Sequence, residues 1–237
     1  AVKEGDLARA EALLGSEQGR IDIGLLPGEH DAAIYAAEKS LALMRLIAQG
    51  APVESLFAAL NRFRLLCALK QGPAGSIELN QRIVSRLQQV GVPIEGEWFP
   101  GRPIMVTSND YQLKLFNGDI GITLPDPRRG GEMGVVFQGE GEALRWLAPT
   151  RLPPHETVFA MTVHKSQGSE FEEVLLLLPH RDTPLLSREL IYTAITRART
   201  HFMLSSPVEL FQTAVKRRLI RQSGLADLLV PAAAELF

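Results

Sequence analysis

Ten consecutive positions, Thr162-Val163-His164-Lys165-Ser166-Gln167-Gly168-Ser169-Glu170-Phe171, gather most of the side chains in this sequence that could handle a charged ligand. Hydroxyls, an imidazole, an ammonium group, an amide and a carboxylate share one glycine-punctuated turn between two apolar runs. Donors of this kind grip phosphate oxygens without reading sequence. A second set, Thr196-Arg197-Ala198-Arg199, begins 26 residues after Glu170. It places two arginines at the end of a predicted helix. There they could satisfy the last carbonyls and the helix dipole, or face a phosphate. Together the two sets predict a phosphate-handling edge.

The elements around them must do the positioning. Val174 to Leu178 is a continuous apolar run, as expected of a strand buried on both faces. Glu189 to Thr196 reads as a helix with Leu190, Ile191, Ala194 and Ile195 on one face. Strands are expected again near Val158 and over 201–205. Upstream, Ile34, Ala37, Leu41, Met44 and Ala48 recur at intervals of three and four, predicting a helix over 29–49 that Gly50 closes. Pro52 opens a second helix bearing Leu56, Ala59 and Leu60. Arg64 to Leu69 reads as a buried strand, and Ser76 as the cap of a helix ending near Val90. Ser206-Pro207-Val208-Glu209 reads as a capping box opening a last helix to about Arg221. Residues 1–28, rich in Gly, Asp and Glu around a short apolar piece at Leu7 to Leu14, read only as surface.

Between these parts, residues 92–157 lose helical periodicity. Prolines interrupt the stretch, and short β-type runs appear at 104–107, 120–124, 134–138 and 143–147, separated by turns such as Asn117-Gly118-Asp119 and Gly139-Glu140-Gly141-Glu142. The spacing predicts a small antiparallel barrel over 93–157, set into an α/β domain made of 1–92 and 158–237. Its two ends should lie close together, near Pro93 and Pro154. Trp98 and Trp146 are expected in its core.

The ten-residue segment resembles motif V of superfamily 1 helicases in the form used by the RecD family, and Tyr192 to Arg199 resembles motif VI. Asn109-Asp110-Tyr111 with Asn117-Gly118-Asp119-Ile120-Gly121 resembles the segment that precedes motif V in RecD-like helicases. Phe63 to Cys67, Gly72 to Gly75 and Leu79-Asn80 resemble a further upstream element. The likeness spans about residues 60–206, with the motifs in family order. It implies a RecA-like second motor domain of the P-loop NTPase type, with a parallel sheet and an inserted SH3-like barrel. It also implies a 5′→3′ DNA helicase of the exodeoxyribonuclease V kind, acting on single-stranded DNA in double-strand break repair and recombination beside RecB and RecC type subunits.

The resemblance assigns roles residue by residue. Arg197 becomes the arginine that stabilises charge on the γ-phosphate, an effect typically worth about 10³–10⁵ in rate. Gly168 lets the backbone approach the nucleotide, Glu170 bonds the ribose, and Gln167 contacts the γ-phosphate or couples the two sites. Thr162, His164, Lys165 and Ser166 become the DNA-facing half. Thr107, Asn109 and Tyr111 could touch the single strand, Tyr111 by base stacking. Lys216-Arg217-Arg218 is read as a solvated charge run.

Composition bounds the alternatives. At 237 residues, 46% hydrophobic and 22% charged, the chain is of ordinary globular type. A net charge of −2 does not advertise nucleic-acid binding, so any DNA site must be built from a few placed groups. Cys67, the single cysteine, sits in an apolar run and reads as a buried small hydrophobe suited to a reducing cytoplasm. No signal peptide, membrane span, metal cluster or paired nuclease carboxylates are apparent. No G-x-x-x-x-G-K-[ST] occurs either. ATP with Mg²⁺ is therefore expected only together with a preceding motor domain, and the chain alone should not hydrolyse ATP. Two rival readings stand beside this one. One is the helicase domain of a conjugative relaxase or a stand-alone RecD-like helicase. The other is a scaffolding module whose motif residues no longer act.

Overall fold

Apolar strands without alternation need cover on both faces, and the computed structural model supplies it. It describes residues 1–13, 22–25, 29–139 and 143–219. Five strands form a parallel sheet: β1 (Asp22–Leu25), β2 (Phe63–Cys67), β8 (Ala160–Thr162), β9 (Phe171–Leu177) and β10 (Ala198–Ser205). Their order is β1-β10-β9-β2-β8. Successive residues of β2, β9 and β10 enter opposite cores. Leu65, Cys67, Leu175, Leu177 and Met203 pack toward α2 (Glu29–Ala48) and α4 (Ser76–Gln89). Leu66, Val174, Leu176, Phe202 and Leu204 pack toward α5 (Arg188–Ile195) and α6 (Val208–Lys216). Both faces are dry, which explains the unbroken apolar run at 174–178.

A second sheet is antiparallel, with order β6-β5-β4-β3-β7. Its strands are β3 (Pro103–Val106), β4 (Ile120–Pro125), β5 (Met133–Gln138), β6 (Leu144–Leu147) and β7 (His155–Thr157). Ile122, Leu124 and Val136 pack on α2 and on α3 (Val53–Arg62), whereas Ile104, Val106, Val135 and Phe137 form a separate core with Leu115. Gly121 is needed here, because a Cβ would fall 2.6 Å from Val135 Cγ1. Strands β3 and β7 pair directly, Ile104 opposite Thr157, so the chain enters and leaves this sheet at adjacent strands. Strands β6 and β7 are its two edges, and no pairing closes them into a barrel among the described residues. Trp98 and Trp146 are only half-buried; their rings lie beneath Arg102 and Arg128.

Several local expectations need correction. Ser76 is the first residue of α4 rather than its cap; Gly75 holds the cap position, and the Ser76 N–H donates to Leu69 O. No capping box forms at Ser206, whose hydroxyl donates to the Pro207 carbonyl while Pro207 takes the cap position. Helix α6 ends at Lys216; the expected extension to Arg221 runs into residues beyond those described, as does the turn at 140–142. Residues 1–28, where the resemblance implies a helical connector, include the helix α1 (Leu7–Leu13) and also β1, an unforeseen strand that lengthens the parallel sheet.

Candidate nucleotide and nucleic-acid edge

The motif turn does not sit at one end of the sheet. Thr162 stands level with Cys67, which in turn is level with Leu177, at the carboxyl ends of the strands. Phe171, where β9 begins, lies six residues before Leu177, about 20 Å away at 3.3 Å per residue. Residues 163–170 therefore cross from the carboxyl to the amino end. The first half of the motif and the second half work at opposite edges of the sheet.

At the carboxyl end, Thr162 is nearly buried and its carbonyl accepts from the N–H groups of Lys165 and Ser166. His164 is exposed. Lys165 is half-buried and its Nζ pairs with Glu156 Oε2 at 2.5 Å. Ser166 corrects the sequence reading: it is fully buried, and its hydroxyl donates to Val163 O at 2.8 Å. It braces the turn from inside and offers no surface to a strand. Glu156 lies on β7 and was not foreseen. Two residues earlier, Pro154 O accepts both the N–H and the hydroxyl of Thr107. The chain at 154–156 thus joins the Lys165 group to the loop after β3.

That loop presents Asn109, Tyr111 and Phe116. Tyr111 is 77% exposed and Phe116 47%, with ring centroids 6.2 Å apart, edge to face. Asn109 Oδ1 accepts from Asn117 N at 2.9 Å, which fixes the loop across its mouth. Phe116 escaped sequence reading. An apolar ring inside the polar Asn117-Gly118-Asp119 turn was the available signal.

At the amino end, Gly168 takes φ +87°, and Gln167 and Glu170 are exposed. Arg197 follows α5 directly. Its Nη1 donates to Ser169 O at 3.0 Å, Nε to Thr193 O at 3.3 Å and Nη2 to Thr196 Oγ1 at 3.2 Å. Its own carbonyl accepts from Phe171 N at 2.8 Å. Of the guanidinium's five N–H donors three are engaged, leaving one on each terminal nitrogen for an anionic oxygen. The helix-end reading and the phosphate reading are thus compatible. Arg199 meets Glu170 at 3.1 Å and Glu172 at 3.6 Å, but the groups are largely exposed and such pairs add little stability. Any further donor to Glu170 would have to compete with Arg199 for it or share it.

Among the described residues no group of three or more His, Cys, Asp or Glu could hold a metal ion, and no helix is long and apolar enough to cross a membrane. Cys67 is buried with its thiol directed at Leu69 O.

An arginine-ended helix is thus docked on a polar crossing turn of a parallel sheet covered on both faces. Residues 157–205 match the UvrD-like helicase C-terminal domain. The chain is 43% identical over 180 residues to the RecBCD enzyme subunit RecD of Mycolicibacterium smegmatis, covering 74% of this chain and 30% of that protein. It is 38% identical over 179 residues to the Haemophilus influenzae RecD subunit, covering 74% and 26%. The ATP-dependent RecD2 DNA helicase of Deinococcus radiodurans is 35% identical over 168 residues, covering 69% and 23%. A Bacteroides Pif1 helicase structure aligns with 80% of this chain and 52% of its own at a TM-score of 0.42 and 16% identity, too distant to carry an argument. The chain is similar to these RecD proteins over about 70% of its own length, and it spans less than a third of the length of each of them.

Proposed function

We propose that these residues are the second motor domain of an ATP-dependent 5′→3′ DNA helicase, part of an exodeoxyribonuclease V type complex in double-strand break repair. The observation that carries the reading is the Arg197–Ser169 bond, because it ties the nucleotide edge to the turn that begins at the strand-gripping edge. Arg197 would face the γ-phosphate with its two remaining donors, and Gln167, Gly168 and Glu170 would line the rest of the nucleotide's contact. Bound ATP with Mg²⁺ supplies the phosphoryl transfer. Its phosphates need a P-loop, which these 237 residues lack, so a further motor domain completes the site and this segment alone turns over no ATP.

Thr162, His164 and Lys165 would hold a single strand's phosphates, with Thr107, Asn109 and Tyr111 beside them, and Ser166 would keep the turn rigid. Lys165 can serve only by exchanging Glu156 for phosphate. Residues 93–157, with their open antiparallel sheet, would be the SH3-like insertion of this reading, guiding the strand, and residues 1–92 and 158–237 the motor domain proper. RecB and RecC type subunits are the partners in a cytoplasmic complex.

The test is Arg197→Ala in the full-length protein. DNA-stimulated ATP hydrolysis should fall at least about a hundredfold while strand affinity stays near normal, the scale of a lost arginine finger. Near-normal hydrolysis would return Arg197 to capping its helix.

A further inference from the structure

Arg197 stands just past the end of α5; a different basic site lies at that helix's beginning. A cavity of about 530 Å³ is lined by Lys3, Arg188, Glu189, Tyr192, Thr193 and Arg218. Three of these are cations and one is an acid, and the acid is already engaged: Glu189 Oε2 accepts from Leu219 N at 2.9 Å. The neighbouring Arg217 is neutralised by Asp182 through bonds of 2.6 and 2.8 Å. Lys3, Arg188, Lys216 and Arg218 form no ion pair with any described residue. An unbalanced positive field in a concavity concentrates anions.

Arg188 is held in place. Its N–H donates to Arg217 O at 2.9 Å and its Nη2 to Lys216 O at 3.0 Å. Gly5, at φ +76°, packs so closely that a Cβ would fall 2.8 Å from Nη1. Nε is buried without a partner. A surface arginine with no task would be free to turn into water; this one is fixed at the mouth of a cationic cavity. Lys3 lies 5.7 Å from the exposed Tyr192 ring, so an aromatic face stands beside the cations.

We propose that this cavity is a second nucleic-acid contact, taking phosphate groups of a DNA strand apart from the grip at Thr162 to Lys165. Arg188 and Arg197 are nine residues apart, about 13 Å along a helix, so one helix holds a backbone phosphate at its start and a nucleotide phosphate past its end. Cations without carboxylate partners, next to an aromatic ring, suit a DNA strand, whose phosphates come with bases to stack, better than a run of acidic side chains, which has none. The proposal rests on the motor reading only in that the protein meets DNA.

The test measures anisotropy of a labelled oligothymidylate on the full chain over a series of salt concentrations. Two double variants are used: Arg188→Gln with Arg218→Gln, and Lys3→Gln with Arg218→Gln. The second touches only exposed side chains and keeps the fold intact. Each should lower the slope of log affinity against log salt by about 1.4, at roughly 0.7 per lost single-strand phosphate, and weaken binding about tenfold at moderate salt. Slopes unchanged in both variants, while Lys165→Gln weakens binding, would overturn this site and leave the motor reading standing. Failure of the unsubstituted chain to bind the oligonucleotide would overturn both. Unchanged DNA binding with loss of a poly-glutamate peptide would overturn the proposal by assigning the cavity to an acidic protein.

Discussion

Asn80, on α4, holds both backbone groups of Ala160: its Nδ2 donates to Ala160 O at 2.8 Å and its Oδ1 accepts from Ala160 N at 3.0 Å. Ala160 begins β8, an edge of the parallel sheet and the strand that leads into the motif turn. A side-chain amide here takes the place of a further strand. Asn80→Ala should leave a buried N–H and C=O unpaired, at about 1–3 kcal/mol each. Urea denaturation should register a loss of roughly 2–4 kcal/mol; a change under about 0.5 kcal/mol would mean that the edge is held by other means.

Gly168 has open space where a Cβ would go, yet its φ is +87°. Gly168→Ala should therefore cost backbone strain alone, about 1–2 kcal/mol, read as a lower Tm. If the backbone also approaches a nucleotide here, hydrolysis by the full-length motor should fall by more than that stability loss explains. Equal losses would leave the glycine a purely conformational role.

Tyr111 and Phe116 form an exposed edge-to-face pair. Removing either ring should weaken single-strand binding by about 1–3 kcal/mol, the worth of one stacked base, with little effect on the salt slope. Phe116→Ala that binds the strand as tightly as the parent would restrict the contact to Tyr111 or remove it.

Burial pushes the Cys67 thiol from its usual value near 9 up to about 12. The folded protein then binds more protons than the unfolded chain between these values. Its contribution to stability is present in full below about pH 9 and is lost as pH rises toward 12. Denaturation at pH 8 and pH 10 should reveal a fall that is smaller in Cys67→Val, and a thiol reagent should react slowly until the protein unfolds. Rapid labelling of the native protein at pH 8 would contradict this burial.

What could be read from sequence tracks how many residues share a signal. Strand β9 announced itself through an unbroken apolar run, and α2 through five apolar positions at helical spacing. Strand β1 has four residues, Asp-Ile-Gly-Leu, and pairs on one side only, so nothing in its composition separates it from a loop. Ser166 looked like a strand contact and Ser206 like a helix cap, while both hydroxyls in fact donate to nearby carbonyls. The edge-to-edge course of the motif turn depends on the pairing of β8 and β9 with β2, a long-range register that local spacing does not encode. Glu156 was hidden likewise, nine residues from the lysine it meets.

The crossing turn has one more consequence. Eight residues join Thr162 to Phe171, and both ends are pinned by sheet register, Thr162 level with Cys67 and Phe171 with Ala198. Identity along the segment can drift where side chains face water, as at His164 or Gln167, but length cannot. An insertion or deletion of one residue would break the Arg197–Ser169 bond or pull Phe171 out of line. Natural variation in length should therefore avoid 163–170 altogether, giving the motif a fixed ruler even where its letters change.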